Sequence, residues 1–109
     1  MQVKSVDKEA QFAIIGQLRN IMAGLPDIEI EVVCHSKGLA LVLDKTSRVA
    51  AHIASLSGHK VRFLACEKAL ERANLTVSDL VPHVITVPSG LVEIIRRQSE
   101  GWSYVHGGN

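Results

Sequence analysis

The stretch Lys60–Ala73, K-V-R-F-L-A-C-E-K-A-L-E-R-A, decides how the whole chain is read. Its first half, Lys60 to Cys66, is a short apolar run with Val61, Phe63 and Ala65 on one face and Leu64 on the other, the pattern of a buried strand. Glu67 to Ala73 follows with no linker and is rich in helix formers. Strand therefore gives way to helix at Cys66. A thiol placed there stands at the carboxyl end of a strand, where open α/β sheets bind ligands. It also stands at the amino end of a helix, where an anion is favoured. Cys66 is thus the leading catalytic candidate. Glu67 beside it works against an anion, and Lys68 partly offsets that charge. The plain alternative is a small packed core residue, as most free cysteines are.

Outward from this segment the chain alternates strands and helices. Upstream, Ile28 to Cys34 is the clearest strand. Ile28, Ile30 and Val32 face one way and Glu29 and Glu31 the other, and the run turns apolar on both faces at Val32-Val33-Cys34. His35-Ser36-Lys37-Gly38 is a loop at its carboxyl end. Leu39 to Leu43 is too short for periodicity to decide between a helical turn and an extended piece. Asp44 to Ser47 reads as the start of a helix whose buried stripe is Val49, Ala50, Ile53, Ala54 and Leu56, stopped at Gly58. Nearer the start, Met1 to Val6 alternates as a short strand. Asp7 caps the next helix, and Ile14, Leu18, Ile21 and Leu25 recur at helical spacing until Gly24-Leu25-Pro26.

Downstream, Thr76 and Asp79 have the spacing of a capping pair. Val84 to Val87 is a brief strand. Pro88-Ser89-Gly90 opens a last helix with Leu91, Val92, Ile94 and Ile95 as its apolar positions and Arg96-Arg97 near its end. Trp102 to Val105 reads as an edge strand, and His106 to Asn109 as a frayed tail. This alternation predicts an α/β fold, a mostly parallel sheet with helices on both faces, in a single domain over residues 1–109.

Composition narrows the function classes. An apolar fraction of 47% and a charged fraction of 21% are those of an ordinary folded domain. A net charge of +1 argues against a mainly electrostatic nucleic-acid binder, and 4% aromatics against a base-stacking platform. No apolar run approaches the roughly 20 residues that span a bilayer, and Met1 to Lys8 is too polar and short for a signal peptide. A cytoplasmic location is the expectation, and there Cys34 and Cys66 are reduced thiols rather than a structural disulfide.

Other candidates flank the two strong strands. If the strands ending at Cys34 and Cys66 are neighbours in register, the two cysteines share a site, with Cys34 and His35 as auxiliaries; an inert packed Cys34 and an idle loop His35 are the alternatives. Ser36-Lys37-Gly38 and Pro88-Ser89-Gly90 each follow a strand, where backbone amides can receive an anion; ordinary turn chemistry also accounts for both. His35, His52, His59, His83 and His106 are scattered without metal-site spacing, so no metal is expected. Arg96-Arg97 reads as a solvated helix face. Trp102 and Tyr104 either seal a subunit contact or pack back on their own core.

Taken in order, these segments resemble the DsrE/DsrF-like sulfur-relay family, as a small single-domain member. The resemblance rests on V-R-F-L-A-C at Val61–Cys66 with Ala69-Leu70 and Arg72, on Leu18-Arg19-Asn20 and the run from Leu25 to Val33, on His35 to Leu39, and on Val84 to Tyr104. It implies a three-layer α/β/α sandwich with a mostly parallel sheet of about five strands, assembled as a trimer or hexamer. It further implies that the cysteine at position 66 accepts sulfane sulfur as a persulfide and passes it on. Two features depart from the family's pattern: the first strand is clipped, and Glu67 is a poor neighbour for a persulfide anion.

Two functions follow as expectations. One is a sulfurtransferase-like carrier: Cys66 receives sulfur from a donor protein and hands it to an acceptor protein by thiol exchange, without a cofactor. The other is a non-catalytic oligomeric module that binds a small anion or nucleotide at the strand ends through Ser36, Lys37 and backbone amides.

Overall fold

The computed structural model describes residues 1–58 and 60–109. Five parallel strands form one sheet in the order β4-β3-β2-β1-β5. They are β1 (Gln2–Val3), β2 (Ile30–Cys34), β3 (Val61–Cys66), β4 (Ile85–Val87) and β5 (His106–Gly107). The helices are α1 (Lys8–Gly24), α2 (Ala50–Leu56), α3 (Glu67–Arg72) and α4 (Gly90–Ser99). Register runs from Ile30 opposite Val61 to Cys34 opposite Ala65 between β2 and β3, and sets Cys66 opposite Val87 between β3 and β4.

Topology dictates the layers. The chain steps from β1 through β2 and β3 to β4 in one direction, so right-handed crossovers place α1, α2 and α3 on one face. It then returns across the sheet to β5, beside β1, and that reversal sends α4 to the other face. The α/β/α sandwich is thereby formed. Its main core lies on the first face, where Val3, Val32, Cys34, Phe63 and Ala65 of the strands meet Ile14 and Leu18 of α1 and Ile53 of α2. Burying a side chain such as Phe63 or Leu18 contributes about 1.5–3 kcal/mol. The N-terminal cap of α1 forms as its sequence requires, with Asp7 accepting from the Ala10 amide at 2.8 Å. Thr76 and Asp79 likewise form a capping box around a 3-10 turn at Val77–Asp79.

The open choice at Leu39 is settled as a helical turn, part of a 3-10 helix over Ser36–Leu41. Several local expectations are corrected: α2 begins at Ala50 rather than near Asp44. The buried amide of Gln11 explains the delay: it donates to Thr46 O at 3.2 Å and accepts from Arg48 N at 2.7 Å, holding that backbone out of a helix. Ala54 is exposed.

The edge strand is His106–Gly107, not Trp102–Val105, and the last residues are not frayed. The Asn109 amide donates to Ser5 O at 2.9 Å, and its side chain accepts from Asp7 N at 2.6 Å.

A further correction concerns α4. A helix on a sheet ordinarily buries its apolar stripe. Here Leu91, Val92 and Ile95 are 55–66% exposed, while Glu93 is buried against the sheet. The sheet face beneath explains this, because β2 presents the buried carboxylate of Glu31 there. Arg97 reaches it at 2.9 Å and Arg62 of β3 at 3.3 Å. Arg97 also bonds Glu93 at 3.3 Å and lies 4.5 Å from the Trp102 ring centroid. The expected solvated Arg96-Arg97 face is thus half wrong: Arg96 is exposed and Arg97 is folded inward.

Candidate functional site

Cys66 ends β3 and is the N-cap residue of α3, where its side chain makes no capping bond. In a sheet of this type, ligands bind where neighbouring strands send their following connections to opposite faces. That condition is met between β3, which leads into α3, and β4, which leads into α4. Cys66 and Ser89 stand at the carboxyl ends of these two strands.

Strand periodicity fixes what joins them. Residues 31, 33 and 35 point toward α4, and continuing the register of β2 and β3 by one residue sets His35 beside Cys66 on that same face. Gly90, at the start of α4, closes over both: a Cβ there would lie 3.4 Å from the Cβ of Cys66 and of His35, and 3.1 Å from Val33. A bulkier first residue would push the helix off the thiol.

A cleft of about 270 Å³ opens over this group, lined by Gln2, Lys4, His35, Ser36, Cys66, Lys68, Ala69, Arg72, Ser89 and Leu91. Cys66 is 6% exposed, so its thiol is reached from this cleft and not from open solvent. Lys68 and Arg72 sit one turn apart on α3, and Lys4 follows β1. None of the three has an acidic partner at salt-bridge distance among the described residues. Glu67 does not line the cleft. Its carboxylate accepts from the Thr86 hydroxyl at 2.7 Å, on the β4 side. The objection that Glu67 raised from sequence is met by this orientation.

The other predicted residues separate. Cys34 is fully buried on the opposite face of the sheet, so the two cysteines share no site. His35 and Ser36 do line the cleft with Cys66. Lys37 lines an adjoining hollow with Ser36 and Arg72. Gly38 is not available to an anion, because its amide already donates to Lys4 O at 2.7 Å and His35 O at 2.9 Å. It is glycine for a steric reason: a Cβ would run into the Val3 carbonyl. Trp102 and Tyr104 pack back on their own chain, under Arg97 and against Gln2.

Among the described residues no group of three or more His, Cys, Asp or Glu could hold a metal ion, and no helix is long and apolar enough to cross a membrane. His59 lies outside the described residues.

Residues 7–106 match the DsrE/DsrF-like family, which is nearly the whole chain. The chain belongs to the DsrE/DsrF-like family. A solved structure of the protein of unknown function MTH1491 from Methanobacterium thermoautotrophicum is similar at a TM-score of 0.89 and 34% identity, over 96% of this chain and 94% of that one. No curated protein matches. Membership of the DsrE/DsrF-like family suggests a function of the sulfur-relay type.

Sequence reading missed Gln2, Lys4, Arg72 and Ser89 as neighbours of the thiol. The spacing of Lys68 and Arg72 after a strand-terminal cysteine was a usable signal, since residues four apart share a helix face. Nothing local could have brought Gln2 and Lys4 to the cleft, because that depends on β1 pairing with β2.

Proposed function

We propose that this protein is a small sulfur carrier of the reducing cytoplasm, holding sulfane sulfur as a persulfide on Cys66. The observation that carries this reading is a thiol at the switch point of a parallel sheet, opening into a cleft whose cations have no acidic partner at salt-bridge distance among the described residues. The Cys66 thiolate attacks the terminal sulfur of a donor persulfide R–S–SH. A new sulfur–sulfur bond forms at Cys66, the bond between R–S and that sulfur breaks, and R–S⁻ leaves with the electron pair. Transfer to an acceptor thiolate repeats the exchange with the carrier as donor, so no cofactor is consumed. Lys68, Arg72 and Lys4 supply positive charge beside the terminal sulfur anion, and Glu67 is turned away from it.

The carrier assembles as a homo-oligomer, a trimer or hexamer, through the outward face of α4. Exposed Leu91, Val92 and Ile95, next to exposed Ile85 on the edge strand β4, support that contact.

The test is mass spectrometry of the intact protein after incubation with a protein persulfide donor. One added sulfur (~32 Da) on Cys66 is expected, in line with persulfidation of an accessible thiol. An equal adduct on a Cys66→Ser variant would refute the reading.

A further inference from the structure

A chain of hydrogen bonds leads from Tyr104 into the wall of the Cys66 cleft made by Gln2, His35 and Ser36. The Tyr104 hydroxyl donates to Gln2 Oε1. That fixes the amide, so Gln2 Nε2 donates to His35 Nε2 at 2.8 Å. A ring nitrogen that accepts carries no proton, and a neutral imidazole then keeps its proton on Nδ1. Burial, and secondarily the Lys4 ammonium, hold His35 below the ordinary histidine range, which favours the neutral ring. His35 Nδ1–H donates in turn to Ser36 Oγ at 3.1 Å. The Ser36 hydroxyl hydrogen is then left without an acceptor among the described residues, as is the second hydrogen of Gln2 Nε2. Ser36 itself is held at φ 53°, a left-handed conformation that a non-glycine residue adopts only under strain. Strain of this kind persists where the surroundings fix a side chain for a purpose.

We propose that the cleft is a binding site for a small oxyanion, received by the Ser36 hydroxyl and by the charges of Lys4, Lys68 and Arg72. The proton order makes Ser36 a donor toward the cleft, and the three cations lining the same space have no acidic partner at salt-bridge distance among the described residues. A volume of about 270 Å³ accommodates a sulfate-sized group or the sulfonate, phosphate or carboxylate end of a larger molecule. This deepens the carrier reading by naming the group that docks beside the thiol, yet it stands on the cleft wall and not on any reaction of Cys66.

The test uses sulfate and phosphate at constant ionic strength against chloride, followed by amide and ring-nitrogen NMR of the full chain. Saturable shifts at Ser36 and at residues 66–69 are expected with either oxyanion and not with chloride. The free protein should show His35 protonated at Nδ1 and bare at Nε2. Ser36→Gly, which removes the hydroxyl and relieves the strained φ, should weaken binding several-fold. Lys68→Gln with Arg72→Gln should weaken it about tenfold, because charge-assisted contacts are the stronger ones. No saturable response, the reverse His35 tautomer, or unchanged affinity in the Ser36 or the double variant overturns the proposal. Absence of a persulfide in the mass experiment would instead overturn the carrier reading alone.

Discussion

Cys34 and Cys66 end adjacent parallel strands and project to opposite faces of the sheet. Cys34 is level with Ala65, so the two-residue period of a strand sends Cys66 the other way. Cys34 packs at 0% exposure in the main core, and burial pushes its thiol up to about 12, the nearby N-terminal ammonium opposing this only in part.

Native protein should therefore react with one equivalent of maleimide between about pH 7 and 9, at Cys66, since the thiolate is the nucleophile. The second equivalent should appear only on unfolding. Peptide mapping that finds Cys34 labelled first would contradict this arrangement.

Arg97 holds α4 to β2 through the buried Glu31 carboxylate. Glu31 Oε1 has no hydrogen-bond partner among the described residues, so the charge of this carboxylate is met through Oε2, by Arg97 and Arg62. Arg97→Met should destabilise the fold by about 2–3 kcal/mol. That is less than the roughly 3–5 kcal/mol for a buried charge left wholly unpaired, because Arg62 still reaches Glu31. Glu31→Leu combined with Arg97→Met should recover most of the loss, since it removes the buried charge itself. Urea titrations of the single and double variants decide the point; a double variant weaker than Arg97→Met alone would contradict it.

Glu93 sets an acid limit. Burial alone would raise its carboxyl, but hydrogen bonds with Glu31 and Arg96, with further help from Arg97, hold it below its ordinary value of 4.5. A carboxyl lowered in the folded state adds stability that is complete above the unfolded value and disappears as pH falls through the folded one. Denaturant midpoints should accordingly decline below about pH 4.5, as expected of a paired carboxylate. Glu93→Gln should flatten that decline while lowering stability at neutral pH. An unchanged acid slope in the variant would show that Glu93 is not the group responsible.

The outward apolar face of α4 predicts a subunit contact. Ile95→Glu should shift sedimentation toward monomer with little change in the circular dichroism spectrum, because the side chain is 66% exposed in the single chain. Monomeric wild-type protein at micromolar concentration would remove the proposed assembly.

The α/β class and the strand–cysteine–helix junction were legible in the sequence. Each follows from short-range physics: apolar period two in Ile28–Cys34 and Val61–Cys66, apolar period near 3.6 from Ile14 through Ile21, and caps at Asp7 and at Thr76 with Asp79. The DsrE/DsrF-like resemblance was legible as well, since it lies in the order of such segments.

Only the tertiary structure decided the make-up of the site. Which face of β2 carries His35 and which carries Cys34 is fixed by pairing with β3. That Gln2 and Lys4 reach the cleft depends on β1 lying beside β2. The inward turn of Glu93 and Arg97 on α4 reverses what hydropathy alone suggests, because a buried carboxylate on the sheet outweighs the exposure of Leu91, Val92 and Ile95. Local pattern determines where a strand or helix forms. It carries no information about which distant charge will lie beneath it, and in this protein those distant placements set the chemistry around Cys66.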